Sequence, residues 1–313
     1  MITQAFILGA GLGTRLRPLT EEVPKPLIPI FQKPLITFVL DHLISCGVKS
    51  FVVNTHHRAE AFRDFFSGEN YRGHSVRLVH EPEILGTGGG IKNVEPLLND
   101  ELFISYSGDV LTDIDLPTLI GEHFRAQNDV TIAVRETGFG KDVALEGNRV
   151  VDLTNRYGHA GQYDFAGVCI WTRAIFERIP PGRHISYIPI LAEWIGQGGK
   201  IGGVVLDKGK WFNIGSRHEY LGVHRSVAEE NWKPAYLSEA DWPIQIAPDA
   251  RIDSTARLSG FYSIGTGCRI EAGATIEDTI LWPGAQIASR SHLRNCIVRT
   301  QREAQGDLRD TDI

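Results

Sequence analysis

An apolar run, Ala5-Phe6-Ile7-Leu8, gives way at once to Gly9-Ala10-Gly11-Leu12-Gly13-Thr14-Arg15. A buried strand ends in this manner when it delivers a loop to the edge of a sheet. Glycines at alternate positions let the backbone approach a ligand and aim successive N–H groups at it. Strand-like runs follow at 50–54, 76–80, 102–105 and 130–134, separated by helical patterns at 36–45, closed by Gly47, and at 59–66. That alternation predicts an α/β fold with a mostly parallel sheet covered on both faces. Ligands of such sheets bind beyond the carboxyl ends of the strands, which is where the glycine loop falls. Between 140 and 215 the pattern is less regular, with strands at 150–153, 164–171 and 203–206 and a helix at 188–195. This stretch reads as an α+β lid region completing the same domain.

The loop carries two cations, Arg15 and Lys25, the latter held between Pro24 and Pro26. A dinucleotide fingerprint would need a glycine where Thr14 stands, and no Gly-Lys-Ser or Gly-Lys-Thr of a P-loop occurs. What remains is G-x-G-x-G-T-R-L-x-P-L-T, then P-K-P-L-x-P, then Lys33-Pro34. This run resembles the signature of the sugar-1-phosphate nucleotidylyltransferases, the nucleoside-diphosphate-sugar pyrophosphorylases, and is most like their mannose-1-phosphate guanylyltransferase branch. The resemblance implies a Rossmann-like nucleotidyltransferase domain over residues 1–235.

A second pattern begins near 245. Apolar residues recur every six positions at Ile246, Ile252, Leu258, Ile264, Ile270 and Ile276, and after a one-residue slip at Ile287 and Leu293. Glycines and small residues fill the spaces between. The period resembles the hexapeptide repeat of left-handed parallel β-helices, about three coils over 245–300, with 301–313 as a polar tail. So short a solenoid leaves an open end and flat faces, which predicts a homo-oligomer assembled through it.

The reaction implied by the resemblance is attack of a sugar-1-phosphate oxygen on the α-phosphorus of a nucleoside triphosphate, with release of pyrophosphate. A phosphate oxygen is already anionic, so positioning and electrostatics suffice. Arg15, Lys25 and Asp109 are then the catalytic residues: Arg15 on the leaving phosphates, Lys25 on the α-phosphate. The nucleotide is held by Leu8, Gly9, Ala10, Gly11, Gly13 and Thr14, together with Gly108. Gly86, Thr87 and Gly88 of Leu85-Gly-Thr-Gly-Gly resemble the family's base-site segment, and Glu81 stands where a polar residue reads the base edge. An ionised carboxylate accepts hydrogen bonds only, which favours guanine, or the uracil imide, over cytosine. Asp109 ends an apolar strand in Gly108-Asp109 and is the expected ligand of Mg²⁺, with Asn213 of Trp211-Phe-Asn-Ile-Gly-Ser replacing the family's usual aspartate. Arg156 stands near the place where relatives carry the lysine of E-K-P, and Ala166 and Gly167 match the strand beside the sugar ring. His56 and His57 read as loop-packing residues.

Composition narrows the partners. The 313 residues are 42% hydrophobic and 22% charged with a net charge of −6, a globular balance with no basic run for nucleic acid. No apolar stretch approaches a membrane span, and Met1-Ile2-Thr3 enters the first strand directly, so a cytoplasmic location is expected. Cys46, Cys169, Cys268 and Cys296 are widely spaced, as buried thiols rather than zinc ligands or disulfides. Two other functions compete. A non-catalytic sugar-nucleotide sensor would be expected to lose Arg15, Lys25 or Asp109, and all three are present. A uridylyltransferase acting on an N-acetylmuramate-type sugar phosphate is suggested by Thr87-Gly-Gly-Gly-Ile and Val53-Asn-Thr-His-His57.

Overall fold

The computed structural model describes every residue except 139, 231, 239 to 241 and 243. Two compact units are present, one of Met1–Leu12 with Val39–Trp211, the other of Gly13–Phe38 with Phe212–Ile313.

The first unit is built on one ten-stranded sheet. Its strands are β1 (Gln4–Leu8), β2 (Ser50–Thr55), β3 (Asn70–Tyr71), β4 (His74–His80), β5 (Leu102–Ser107), β6 (Val130–Arg135), β7 (Val143–Glu146), β8 (Arg149–Leu153), β9 (Asp164–Thr172) and β10 (Ile201–Val205). The order across the sheet is β7-β8-β10-β6-β9-β5-β1-β2-β4-β3. Strands β5, β1, β2 and β4 are mutually parallel, so their carboxyl ends share one edge, as the strand–helix alternation predicts. Antiparallel β9 sits between β5 and β6, beyond which β10 runs parallel to β6. Strand β1 buries Ala5, Phe6 and Ile7 completely, the mark of a central strand covered on both faces. Its Phe6 belongs to a core with Phe103, Trp171 and Leu191. Trp171 stacks near-parallel on Phe103 at 6.4 Å and satisfies its indole N–H on Ser105 Oγ at 2.7 Å. The helices that matter below are α1 (Ala59–Phe65), α2 (Gly86–Asn93), α3 (Tyr187–Gly196) and, in the second unit, α4 (Arg217–Glu230).

The second unit contains the hexad region, which forms parallel ladders. One stacks Ile252, Ile270, Ile287 and Ala304, another Leu258, Ile276, Leu293 and Leu308, a third Ile246, Ile264, Leu281 and Val298. The first step of each ladder spans eighteen residues, three hexads, and the next step seventeen. The one-residue slip is thus the point at which the turn of the coil shortens, and the turn stays short thereafter; Ile264, Ile270, Ile276, Leu281, Ile287, Leu293 and Val298 stay buried through it. The expected tail is corrected: Glu303–Ala304 and Asp307–Arg309 are strands that pair with the preceding coil. Their apolar members Ala304 and Leu308 continue the inward stripe, which the polar residues around them conceal in the sequence.

The segment Gly13–Phe38 is fastened to this part of the chain. Glu22 Oε1 accepts from Arg299 Nη1 at 2.8 Å and Arg302 Nη2 at 2.7 Å, and Gln32 Nε2 donates to the Ile264 carbonyl at 3.1 Å. Tyr220 of α4 donates its hydroxyl proton to the Pro29 carbonyl and receives the Trp282 indole N–H at 2.9 Å. Phe31, held at φ 52°, donates its N–H to His224 Nε2 at 3.0 Å. That bond fixes the tautomer: Nε2 accepts, so Nδ1 carries the proton and donates to the Tyr220 carbonyl at 2.9 Å.

Burial holds the imidazoles of His224, His42 and His123 down at about 4. The unfolded chain takes up these protons near pH 6.5 and the native state resists them. Stability is therefore full above pH 6.5 and is lost as the pH falls from there through 4. Thermal unfolding followed by circular dichroism should show a midpoint dropping steadily across that window. A flat profile between pH 6.5 and 4 would contradict these assignments.

Candidate functional site

The glycine loop leaves β1 at the shared carboxyl edge, and its glycines do different work. Gly9 is a packing residue: a Cβ there would lie 2.7 Å from the Asn54 carbonyl oxygen and 3.1 Å from Val53. Its N–H is taken by Asn54 Oδ1 at 2.8 Å. Gly11 faces open space, with nothing within 4 Å of such a Cβ, and it and Leu12 are exposed. Among the described residues no hydrogen bond takes up the N–H of Gly11 or Leu12. The part of the loop able to meet phosphate oxygens is therefore its middle. Leu8 and Ala10 frame it, Ala10 being buried and the Leu8 carbonyl accepting the Gly108 N–H at 3.0 Å.

That last bond places the second feature. Gly108-Asp109 turns the chain directly after β5, the parallel neighbour of β1, so the phosphate-type loop and a half-buried carboxylate emerge from adjacent strand ends. Beside them β9 is bulged between Phe165 and Cys169, where Gly167 adopts φ 87°. A Cβ at Gly167 would stand 3.1 Å from Ser107 Oγ and 3.2 Å from Val110, so only glycine lets the bulge close over this turn.

Glu81, expected at the base edge, is 1% exposed, and both carboxyl oxygens are engaged inside the fold. Oε1 accepts from Asn54 Nδ2 at 2.7 Å, Oε2 from the Leu85 N–H at 3.0 Å. Its backbone carbonyl meets His56 Nδ1 at 2.7 Å, which places His56 in loop packing as expected. The glycines that follow also have a structural duty. Cβ atoms at Gly86, Gly88 and Gly89 would stand 2.8, 3.0 and 2.2 Å from backbone atoms of residues 183–187. The N–H groups of Gly88 and Gly89 both donate to the Ile185 carbonyl, and Thr87 Oγ1 accepts the Tyr187 N–H. Two amides of this segment, those of Gly88 and Gly89, thus dock the chain that leads into α3.

The residues expected at the sugar are dispersed. Ala166 is fully buried, its carbonyl accepting the Trp211 indole N–H at 2.9 Å, so its side chain meets no ligand. Arg156 is exposed and turned toward the Pro189 carbonyl at 3.4 Å, with its guanidinium over the Tyr157 ring. It caps a turn built by buried Asp152, whose carboxylate accepts the N–H groups of Arg156, Tyr157 and His159. A cavity of about 200 Å³ opens instead between Phe165, Tyr187, Leu191, Asp142 and Thr154. Its position beside the β9 bulge was hidden from the sequence, because it depends on which face of β9 the bulge turns inward.

In the second unit the two cations hang from one short segment. Gly13 sits at φ 62°, and a Cβ there would lie 2.8 Å from Thr20 and 3.3 Å from Lys25 Cβ, so the stem of Lys25 packs directly on this glycine. Lys25 is half-buried at the head of a single 3-10 turn that Pro24 introduces. Thr14 opens a similar turn and is exposed, as is Arg15. The Arg15 guanidinium lies over Gly215, where a Cβ would approach Nη2 to 2.8 Å and Glu219 Oε2 to 3.1 Å. Glu219 Oε2 in turn accepts the Gly215 N–H at 2.8 Å and the Ser216 hydroxyl at 2.9 Å. Asn213 is half-buried, its carbonyl accepting the Gly215 N–H at 3.1 Å. Sequence reasoning passed over Gly215 as the residue beneath the Arg15 guanidinium, over Glu219 as the side chain that fixes Gly215, and over Asn54. Gly215 and Asn54 lie inside motifs already noticed, so the signal was present without its meaning.

Residues 4–230 match the family described as Nucleotidyl transferase. The chain belongs to that family. It is 29% identical over 295 residues to the mannose-1-phosphate guanylyltransferase of Mycobacterium tuberculosis, covering 90% of this chain and 80% of that protein. It is also 29% identical over 241 residues to the N-acetylmuramate α-1-phosphate uridylyltransferase of Caulobacter vibrioides, covering 72% of this chain and 97% of the relative. Among solved structures, HddC from Yersinia pseudotuberculosis superposes with a TM-score of 0.60 at 24% identity, over 71% of this chain and 97% of that one. Among the described residues no helix is long and apolar enough to cross a membrane.

Glu81→Gln tests its reassignment in this nucleotidyl transferase. An amide must present a donor to Asn54 Nδ2 or to the Leu85 N–H, so one buried hydrogen bond is lost, at about 1–3 kcal/mol. The expected result is a lower unfolding midpoint with an unchanged ratio of kcat/KM between nucleotides. An altered nucleotide preference at unchanged stability would restore Glu81 to the base site.

Proposed function

We propose that this protein is a sugar-1-phosphate nucleotidylyltransferase, joining a nucleoside triphosphate to a sugar 1-phosphate with release of pyrophosphate. The observation that carries the reading is the hydrogen bond from Gly108 N–H to the Leu8 carbonyl. It sets an exposed, amide-presenting glycine turn beside a carboxylate at the open edge of a parallel sheet. In this scheme the middle of the loop holds phosphate oxygens, and Arg15 binds the leaving β- and γ-phosphates with its fork. Lys25 offsets charge at the α-phosphate as the new bond forms. The Arg15 guanidinium lies over Gly215, whose backbone Glu219 fixes, and the lack of a side chain at Gly215 leaves it room there. No general base is needed, because the attacking phosphate oxygen carries its own charge. Asp109 is the hard oxygen donor for a divalent cation, which we assign as Mg²⁺, with the amide oxygen of Asn213 as its second protein donor. The cation supplies Lewis-acid neutralisation of the phosphates when bound.

GTP with a mannose-1-phosphate-like acceptor is the pair we favour. The Leu85-Gly-Thr-Gly-Gly sequence and the relative from Mycobacterium tuberculosis support it. A uridylyl transfer to an N-acetylmuramate-type sugar phosphate is the second reading, supported by the Caulobacter relative. The terminal strands Glu303–Ala304 and Asp307–Arg309 end their sheets with a backbone edge, on which a homo-oligomer is proposed to form. Light scattering at the monomer mass would remove that assembly.

Pyrophosphate release measured for four nucleoside triphosphates against a panel of sugar 1-phosphates tests the reaction, and no release with any pair would refute it. Arg15→Ala and Lys25→Ala should each lower kcat by about 10²–10³, roughly 2.7–4 kcal/mol, with unfolding midpoints unchanged. Chelation should abolish turnover and added Mg²⁺ restore it in the wild type, while Asp109→Asn should need far more Mg²⁺. Wild-type turnover that survives chelation would overturn the metal assignment.

A further inference from the structure

A cavity of about 680 Å³ lies within the second unit, away from the residues given roles above. One wall is α4, with Arg217, His218, Arg225 and the buried Leu221, while Tyr220, Val223, His224 and Val227 are the other buried residues of the same helix. The other wall comes from the solenoid and carries Asp278, Arg294, Asn295, Arg309 and Asp310. Four arginines thus meet two aspartates in a chain whose net charge is −6.

The arginines are not equivalent. Arg217 is committed, its Nε on Asp312 at 2.7 Å and its Nη2 on the Asn295 carbonyl. The other three are poorly spent. Arg294 and Arg309 are direct partners on adjacent rungs, a like-charge pair across a strand spacing of about 4.8 Å, which is unfavourable by itself. Each has one carboxylate neighbour at 3.6 Å, Glu277 and Asp307 respectively, beyond hydrogen-bond range. Arg225 Nη2 donates to Asp278 Oδ2 at 3.5 Å and its guanidinium lies over the Phe261 ring, leaving its other N–H groups. The forks of Arg294 and Arg309, with the remaining donors of Arg225, therefore border one cavity and can meet an oxyanion.

We propose that this cavity is a second ligand site, selective for a phosphate ester that carries several hydroxyl groups. The guanidinium forks suit the phosphate. Asp278, Asp310 and Asn295 supply oxygens for hydroxyl donors and repel a bare anion, which gives the site a preference for the ester over inorganic phosphate. No Phe, Tyr or Trp lines the cavity to stack on a nucleobase, so the organic part is a sugar rather than a nucleoside. An occupant also bears on α4, whose Tyr220 and His224 contact the segment that holds Arg15 and Lys25.

Isothermal titration with glucose 6-phosphate, which lacks an anomeric phosphate, tests the site without relying on turnover. Inorganic phosphate is the second titrant. Glucose 6-phosphate should bind wild type and Arg15→Ala alike, bind more tightly than inorganic phosphate, and weaken about tenfold or more in Arg294→Gln/Arg309→Gln. The double variant relieves a like-charge pair, so its ligand-free unfolding midpoint should not fall. If it does fall, Arg225→Gln is read in its place with the same expectation. Absence of binding, binding that survives these substitutions, loss of binding in Arg15→Ala, or tighter binding of inorganic phosphate each overturns the proposal.

Discussion

One buried side-chain pair organises the carboxyl edge of the sheet. Asn54 accepts from Gly9 with its carbonyl and donates to Glu81 with its amide, and Glu81 reaches on to the Leu85 N–H. Three loops that follow β1, β2 and β4 are thereby joined through polar groups that water does not reach. A buried amide and carboxyl are tolerated only when their bonding capacity is met, and leaving one unmet costs more than the bond itself contributes. The arrangement therefore holds the loops in a single geometry. Close backbone approaches extend that constraint to α2 and to the chain entering α3, since no side chain fits at Gly88 or Gly89.

The cations answer to a different set of contacts. Arg15 and Lys25 belong to Gly13–Phe38, which is fixed by Glu22 on Arg299 and Arg302, by Gln32 on Ile264, and by the Tyr220–Trp282 and Phe31–His224 bonds. Sequence neighbours of the glycine loop are in this sense held by residues 191 to 280 positions later. Electrostatic catalysis requires charges that stay where they are needed, and long-range anchoring of a short segment provides that. A solenoid with a continuous aliphatic interior is a stiff base for such anchoring.

Much of this architecture was legible in the residues. Apolar runs bounded by Gly and polar turns placed the sheet strands to within a few positions, because a strand buried on both faces has almost no freedom to hide polar residues. The hexads gave the coils because an inward position repeats every sixth residue whatever occupies the others. Side-chain direction was not legible. Glu81 and Ala166 were assigned by spacing, and spacing cannot say that both side chains are buried. Gly86 and Gly88 were assigned to a ligand, although a glycine tolerates close approach by protein backbone as readily. The last coil was missed because Ala304, Leu308 and the terminal Ile313 are sparse apolar markers amid Arg, Glu and Asp.

The unlike surroundings of Gly9 and Gly11 bear on how this loop can drift over generations. A methyl group at the first would wedge two strands apart and would be purged through misfolding. At the second it would trouble nothing in the polypeptide itself. The polypeptide itself thus dictates the residue at the first place and leaves the second free of any internal demand.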